Sequence, residues 1–174
     1  MSRYLIAFAI CCLLVAPAVF GQAGAPGPGV FYTSGAGWAR MPEAPTPQLR
    51  TQGETAFFFD VVNNADAFYE YPGTTSPVQL TDHKPVFHAN LGYVLGRDLE
   101  HIEIVALKQK NNRREARLNW SSGDMVAHYP RSIAVSVAQG SDGILTITPV
   151  SDLASGEYLL SFGHVMLKYD FSVR

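Results

Sequence analysis

The five histidines of this 174-residue sequence are the first residues to consider as metal ligands. They are His83, His88, His101, His128 and His164. His101 and Glu103 stand two residues apart, so on a strand both side chains point to one face, with Cα atoms about 7 Å apart. A metal site needs a third or fourth ligand, and the spacing supplies none. His101 and Glu103 are therefore candidates for an incomplete metal site, and we expect no cofactor.

Nucleophilic catalysis has no recognisable motif in the chain. The sequence lacks the G-x-S-x-G nucleophile elbow and the H-E-x-x-H zinc motif, and Ser121-Ser122-Gly123-Asp124 is typical of a turn. A pair of catalytic carboxylates depends on tertiary structure, and the chain has 15 acidic residues. We assign no catalytic residue and expect a non-enzymatic protein. The alternative is a hydrolase or metal-dependent enzyme with a site built from loops.

The densest cluster of charge is basic. It consists of Lys108, Lys110, Arg113, Arg114 and Arg117, with Glu115 among them. These five residues are candidates for binding an anionic glycan or a membrane surface. The alternative is a solvated hairpin tip that protects a sheet edge from aggregation. No aromatic residues are interleaved for base stacking, so we expect no nucleic-acid partner.

The first 21 residues have the order of a secretory signal peptide. Arg3 precedes an apolar run from Tyr4 to Val15, and Pro17 and small residues follow it. The run is too short for a spanning helix, so we expect export to the periplasm or the cell exterior and no transmembrane segment in the mature chain. Cleavage would remove both cysteines and Arg3, leaving 12 basic and 15 acidic residues and no disulfide.

The histidines and the basic residues must be positioned by β-strands, which the sequence indicates by an alternation of apolar residues with a period of two. Such alternation places successive side chains on opposite faces of a strand. The clearest case is a final half-buried strand, in which Leu167, Tyr169 and Phe171 alternate with Lys168 and Asp170. The predicted strands are 30–32, 56–62, 67–71, 86–90, 101–107, 114–120, 132–137, 145–147, 158–162 and 165–173. Residues 22–29 are predicted as a flexible leader, 30–174 as one domain, and 42–47 within it as a stiff connection.

Many short strands separated by Gly, Pro and Asn indicate an all-β fold, and we favour an immunoglobulin-like antiparallel β-sandwich. The segment Leu153 to Tyr158 is typical of a tyrosine corner, in which Tyr158 hydrogen-bonds back to the preceding loop. The aromatic segments Phe57 to Phe59 and Phe68 to Tyr71 are expected to fill the core. If Phe58 instead faces outward beside Tyr69 or Tyr71, the patch could form a platform for a partner or a carbohydrate.

Six short segments of the chain follow one another in a characteristic order. They are Gly29-Val30-Phe31-Tyr32, Trp38 to Met41, Pro85-Val86-Phe87-His88, Ile102 to Glu115, Leu153 to Tyr158 and Tyr169 to Val173. In this order the chain resembles a group of uncharacterised secreted bacterial proteins of the acidobacterial type. Ser155 stands where that family usually has Pro. The resemblance implies an exported immunoglobulin-like β-sandwich and provides no catalytic residues to carry over.

The leading hypothesis is thus an exported, non-enzymatic β-sandwich that serves as a binding or structural module of the periplasm or cell envelope. Its partner would be an envelope protein or a glycan. The alternatives are the enzyme with a loop-built site and a binder of anionic glycans or membrane surfaces through the basic hairpin.

Overall fold

The computed structural model describes residues 27–34, 37–52, 66–92, 101–120, 127–163 and 167–174. These residues form fourteen strands and no α-helix, which confirms the all-β class. The strands are β1 (Gly29–Ser34), β2 (Gly37–Arg40), β3 (Gln48–Gln52), β4 (Asp66–Pro72), β5 (Gln79–Leu80), β6 (Phe87–Asn90), β7 (Ile102–Gln109), β8 (Arg113–Trp120), β9 (Ala127–His128), β10 (Ser132–Ile133), β11 (Val135–Gln139), β12 (Leu145–Pro149), β13 (Gly156–Phe162) and β14 (Lys168–Val173). Within the described residues, no helix has the length and apolar character to cross a membrane.

The strands make two sheets. The smaller sheet has five strands in the order β11-β12-β6-β1-β2. The larger has nine, in the order β3-β4-β8-β7-β13-β14-β5, with β10 added to β7 and β9 added to β8. Among the described strands, all the pairings are antiparallel except that of β14 with β5.

The main core lies between the sheets, where the inward residues of each strand meet. Phe87 of β6 packs against Phe171 of β14, with ring centroids 4.9 Å apart, and Tyr158 of β13 stacks on Phe171 at 5.5 Å. All three side chains are buried, as are the other inward residues of β13 and β14. Large aromatic side chains fill the interior of this two-sheet, sandwich-like fold, and their burial is its main source of stability.

A second apolar cluster covers the other side of the larger sheet. Val105 of β7 and Leu159 of β13 point away from the main core and pack against residues of β4 and β8, including Tyr71 and Leu118. The β3–β4–β8 layer, meaning the three strands with these bounds, therefore folds over that side. Strand β7 permits this because different parts of it pair with different strands. Residues 102–107 pair with β13, whereas only Lys108 and Gln109 pair with β8.

The covered sheet corrects the prediction of a half-buried final strand. Asp170 and Ser172 of β14 are as fully buried as Phe171, because the β3–β4–β8 layer and its attached loops close over them. The alternation of apolar and polar residues correctly assigned neighbouring side chains to opposite faces of β14. It could not show that both faces would be covered.

The predicted strand at 132–137 is two strands that belong to different sheets. Ser132 and Ile133 pair with β7 in the larger sheet, whereas Val135 to Gln139 pair with β12 in the smaller one. The chain changes sheets at Ala134, whose carbonyl accepts a hydrogen bond from the amide of Val150 at 3.0 Å. Such switching is a usual way to make the corner of a sandwich.

Several local predictions are confirmed. The Tyr158 hydroxyl donates to the carbonyl of Ala154 at 2.6 Å, as expected of a tyrosine corner. Residues 41–47 are irregular connection, and Gly143 in the predicted turn has φ of +79°. Strands β2, β3, β5 and β9 were missed. The predicted signal peptide, the strand at 56–62 and its three phenylalanines lie outside the described residues.

Candidate functional site

The outward side of the β3–β4–β8 layer carries most of the basic residues that the sequence singled out. The register places Arg50 of β3 beside Phe68 of β4, and Phe68 beside Arg117 of β8. One step along the strands, Glu70 lies beside Glu115, which also lies beside Lys108 of β7. Paired residues of an antiparallel sheet project to the same face, so these side chains share one surface. We call this surface the cationic face; its cations are Arg50, Lys108, Lys110, Arg113 and Arg117.

Two carboxylates hold the arginines of the cationic face in place. Oε1 of Glu115 accepts hydrogen bonds from Nη2 of Arg50 at 3.1 Å and from Nε of Arg113 at 2.9 Å. Arg50 also pairs with Glu70, and Nε of Arg113 lies 3.1 Å from Oε1 of Glu70. Nζ of Lys110 lies 4.0 Å from Oε2 of Glu115. Glu115 is only 4% exposed, whereas Arg50, Arg113 and Lys110 remain partly exposed above it.

The register explains why two arginines converge here. Glu70 and Glu115 lie directly opposite each other, an arrangement that repels in an antiparallel pair unless cations intervene. Arg50 and Arg113 each contact both carboxylates and so neutralise the pair. The face thus gathers five cations on a chain whose net charge is −2.

The structure keeps four of the five predicted basic residues together and separates the fifth. Lys108, Lys110, Arg113 and Arg117 belong to the cationic face, but Arg114 projects to the opposite side of β8 and is 1% exposed. Arg50 takes its place and was missed by sequence reasoning. No local sequence pattern could have identified Arg50, because it is 65 residues away from Glu115 in the chain. The two residues come together only because β4 pairs with both β3 and β8.

Arg114 instead joins the β3–β4–β8 layer to the sheet beneath it. Its Nη1 donates to Oδ2 of Asp170 at 2.5 Å, its Nη2 to the carbonyl of Pro72 at 3.1 Å and its Nε to that of Gly73 at 3.3 Å. Asp170 is 0% exposed. The same Nη1 lies 3.7 Å from Glu157. A buried guanidinium with these partners is a structural group and has no free surface for a ligand.

Glu157 extends the Arg114 network to the end of the chain. Its Oε2 accepts a hydrogen bond from the amide of Ser76 at 2.7 Å, and its Oε1 accepts one from Nη2 of Arg174 at 3.2 Å. The buried charges of β8, β13 and β14 thus have opposite charges or amide donors as partners. The network ties the loop after β4 and the terminal arginine to the underside of the layer.

Lys168 lies beneath the same layer, between aromatic rings. Its Nζ is 4.3 Å from the ring centroid of Tyr69 and 5.4 Å from that of Tyr129. Burial lowers the pKa of Lys168 from 10.5 to about 8, an effect that the negative charge of Glu103 opposes. Burial also raises the pKa of Tyr71 and of Tyr129 above the ordinary value, so both phenols are protonated at neutral pH.

The predicted metal candidates do not gather other ligands around them. His101 is exposed just before β7, and Glu103 is half-buried within that strand. His83 donates to the carbonyl of Leu153 at 2.7 Å, and His88 lies against the ring of Trp38 with centroids 3.7 Å apart. Across the described ranges, no three histidines, cysteines or acidic residues are grouped so as to hold a metal ion. The side chain of His128 and all of His164 lie outside the described residues.

A second surface, on the outer side of the smaller sheet, exposes one large aromatic residue. Trp38 of β2 is 44% exposed, and burial beneath the sheet surface lowers the pKa of His88 next to it. Phe31 lies beside His88 in the register of β1 and β6.

Comparison with known proteins assigns this chain to no class. No family model matches the chain, and neither a curated protein nor a solved structure is significantly similar to it. The function must therefore be argued from the two-sheet fold and the side chains that it brings together.

Proposed function

We propose that this chain is an exported, non-enzymatic binding module of the cell envelope that binds an anionic envelope component through the cationic face. The signal-peptide pattern of residues 1–21 and the resemblance to secreted bacterial proteins support export. The proposal treats the fold as an immunoglobulin-like sandwich, a type supported by the hydrogen bond of Tyr158 to Ala154 and by the change of sheet at Ala134.

One observation carries the proposal, namely that the buried Glu115 and the half-buried Glu70 hold two partly exposed arginines in position. Glu115 fixes Arg50 and Arg113 at 2.9–3.1 Å before any ligand arrives. An arginine already confined in this way loses little further rotamer entropy when it binds an anion. A solvated hairpin tip would not need Arg50, which comes from a third strand and widens the positive surface beyond the β7–β8 turn.

The charge of the face predicts the character of the interaction. Five cations gathered on one face of a chain of net charge −2 attract anions locally, although the whole molecule does not. These charges are near the surface, and salt screens them over a distance of about 8 Å at physiological ionic strength. Binding should therefore weaken steeply as salt is added.

The test removes positive charge without disturbing the two carboxylates. In the double variant Lys108→Gln/Arg117→Gln two of the five cations are lost, while Arg50 and Arg113 still neutralise Glu70 and Glu115. We expect the mature chain to be retained on immobilised heparin and on lipopolysaccharide, and the double variant to elute from both at clearly lower salt.

A matched control separates the cationic face from net charge. Arg40→Gln/Lys84→Gln removes the same two residue types from exposed positions in β2 and in the loop before β6. This control should elute close to the wild type. If the wild type is not retained, or if the control loses as much retention as the face variant, the proposal is wrong.

A further inference from the structure

We propose that a pocket between the end of β1 and the loop after β5 is a second binding site, which takes one neutral sugar unit. The site is independent of the proposed function, because none of the residues that line it belongs to the cationic face. The pocket has a volume of about 150 Å³. Pockets for drug-sized ligands usually measure about 300–1,000 Å³, so this one fits a single small unit.

Both sheets contribute polar side chains to the pocket. Tyr32 and Ser34 come from β1 of the smaller sheet, and Gln79 comes from β5 of the larger one. Thr81 and Asp82 follow in the loop after β5. These side chains bring three hydroxyls, one amide and one carboxylate to one place from distant parts of the chain.

Apolar side chains form the rest of the pocket. Leu80, Pro85 and Val86 line it, of which Leu80 is 6% exposed, Pro85 is buried and Val86 is half-buried. Binding pockets for small molecules commonly combine an apolar wall with a few convergent polar groups. A sugar ring has C–H groups on its faces and hydroxyls around its edge, so it matches a pocket in which both kinds of surface occur.

The polar groups of the pocket distinguish between classes of ligand. Among the described residues that line it, none is basic and Asp82 is the one charged group, so an anion would meet a carboxylate with no cation to compensate. An ammonium group could pair with Asp82, but it has only donors and would leave the amide N–H groups of Gln79 without an acceptor. A hydroxyl both donates and accepts. A neutral ligand with several hydroxyls is therefore the class that pairs with all of these groups.

The loop that carries Asp82 is fixed before a ligand binds. Oδ1 of Asp82 accepts a hydrogen bond from the amide of Lys84 at 2.8 Å. Nδ1 of His83 donates to the carbonyl of Leu153 at 2.7 Å, and the carbonyl of His83 accepts from the amide of Leu153 at 2.7 Å. Within the described residues Oδ2 of Asp82 has no partner, so it is available to a sugar hydroxyl. Little ordering entropy is then lost on binding.

Strand β5 is held equally well on the other side of the pocket. The amide of Ser172 donates to the carbonyl of Val78 at 2.8 Å, and that of Arg174 donates to the carbonyl of Leu80 at 2.9 Å. Gln79 lies between these two anchored residues. Its side-chain amide is exposed and has no hydrogen-bond partner in the part of the chain that the structure describes. A fixed backbone thus presents a free amide to the pocket.

The experiment titrates the mature chain with small sugars and follows its backbone amide signals by NMR. The probes are the methyl glycosides of glucose, galactose, mannose and N-acetylglucosamine. We expect at least one of them to shift the signals of residues 32–34 and 79–84 with a Kd of about 1 mM, a usual affinity for so small a ligand. The glycoside that binds most tightly is then compared with its own uronate and its own amino derivative, and both should bind more weakly.

Two variants test the groups of the pocket, and a third is the matched control. Asp82→Asn keeps one oxygen for the amide of Lys84 but replaces the free acceptor, and it should weaken sugar binding about tenfold. Gln79→Leu keeps the length of the side chain without its amide, and it should weaken binding about fivefold. Asp142 forms the same kind of turn away from the pocket, with Oδ1 accepting from the amide of Ile144 at 3.1 Å, so Asp142→Asn should leave binding unchanged. Thermal unfolding checks that all three variants are folded.

The sugar assignment is overturned if no methyl glycoside shifts these signals at concentrations up to about 20 mM. It is equally overturned if the uronate or the amino derivative binds as tightly as the neutral glycoside, or if Asp82→Asn binds as tightly as Asp142→Asn. Retention on heparin reports on the cationic face alone and should stay close to the wild type in all three variants. Failure of the pocket and failure of the proposed function are therefore separate results.

Discussion

Arg114→Met should destabilise the fold strongly, because it leaves a buried carboxylate without its cation. Asp170 is 0% exposed, its Oδ2 loses the 2.5 Å contact with Arg114, and its Oδ1 has no hydrogen-bond partner among the described residues. The carbonyls of Pro72 and Gly73 lose their donors too. Removing one partner of a buried ion pair costs about 3–5 kcal/mol, a large part of the 5–15 kcal/mol that stabilises a typical domain.

The double variant Arg114→Met/Asp170→Leu tests whether the loss comes from the unpaired charge. It removes both charges and keeps apolar volume at both positions, so it should recover most of the stability and lie within about 2 kcal/mol of the wild type. Part of the remaining cost comes from the two carbonyls, which stay without Arg114. Urea unfolding of the wild type, both single variants and the double variant gives the coupling free energy between the two residues.

The adjacent variant Arg113→Met is the matched control. Arg113 is partly exposed, and Glu115 keeps its contacts with Arg50 and Lys110 when Arg113 is replaced. Its free energy of unfolding should fall by about 1 kcal/mol or less. The account of the buried network is refuted if Arg114→Met costs no more than this control, or if the effects of Arg114→Met and Asp170→Leu simply add.

Three further predictions concern single positions. The pKa of Lys168 in the folded state, about 8, is below the ordinary 10.5, so the folded chain holds fewer protons than the unfolded chain between these values and its stability rises with pH there. Lys168→Met should therefore exceed the wild type in free energy of unfolding by roughly 1 kcal/mol at pH 7, after allowance for solvent screening, and by much less at pH 10.5; an equal difference at both pH values would contradict this. Tyr158→Phe loses the 2.6 Å hydrogen bond to Ala154 and should cost about 1 kcal/mol in urea unfolding, and no measurable loss would show that this corner adds nothing to stability. Gly143→Ala meets no atom within 4 Å but has φ of +79°, so it should lower the melting temperature, whereas Gly37→Ala, with equal space and no positive φ, should not; equal effects would exclude backbone strain as the cause.

The sequence predicts where strands form better than it predicts what covers each face of a strand. Alternation correctly places Phe171 and Asp170 on opposite faces of β14, because that property is local to the strand. It does not reveal that Asp170 is buried, since the layer that covers it comes from β4 and β8, far away in the chain. Strand β2 was missed because its exposed and buried positions hardly alternate, so its sequence shows no apolar pattern with a period of two.

The candidate site shows the same division between local and distant information. Four of its cations follow one another within the β7–β8 hairpin and were visible as a charge cluster. Arg50 and Phe68 were not predicted to belong to it, because their place beside Arg117 is fixed by the pairing of β3, β4 and β8. Which of two adjacent arginines faces outward depends on strand register, and a shift of one residue would exchange Arg113 and Arg114.

That register determines how binding can be tested. Replacing Arg113 and Arg114 together would mix a surface effect with the loss of a buried ion pair, so weaker retention on heparin would not identify a binding face. Arg114→Met should lower retention only by reducing the folded fraction, and it should regain wild-type retention wherever unfolding measurements show it folded. Lys108→Gln/Arg117→Gln should do the reverse, losing retention while its unfolding curve stays close to the wild type. If folded Arg114→Met loses as much retention as this double variant, the division of β8 into a binding side and a structural side is wrong.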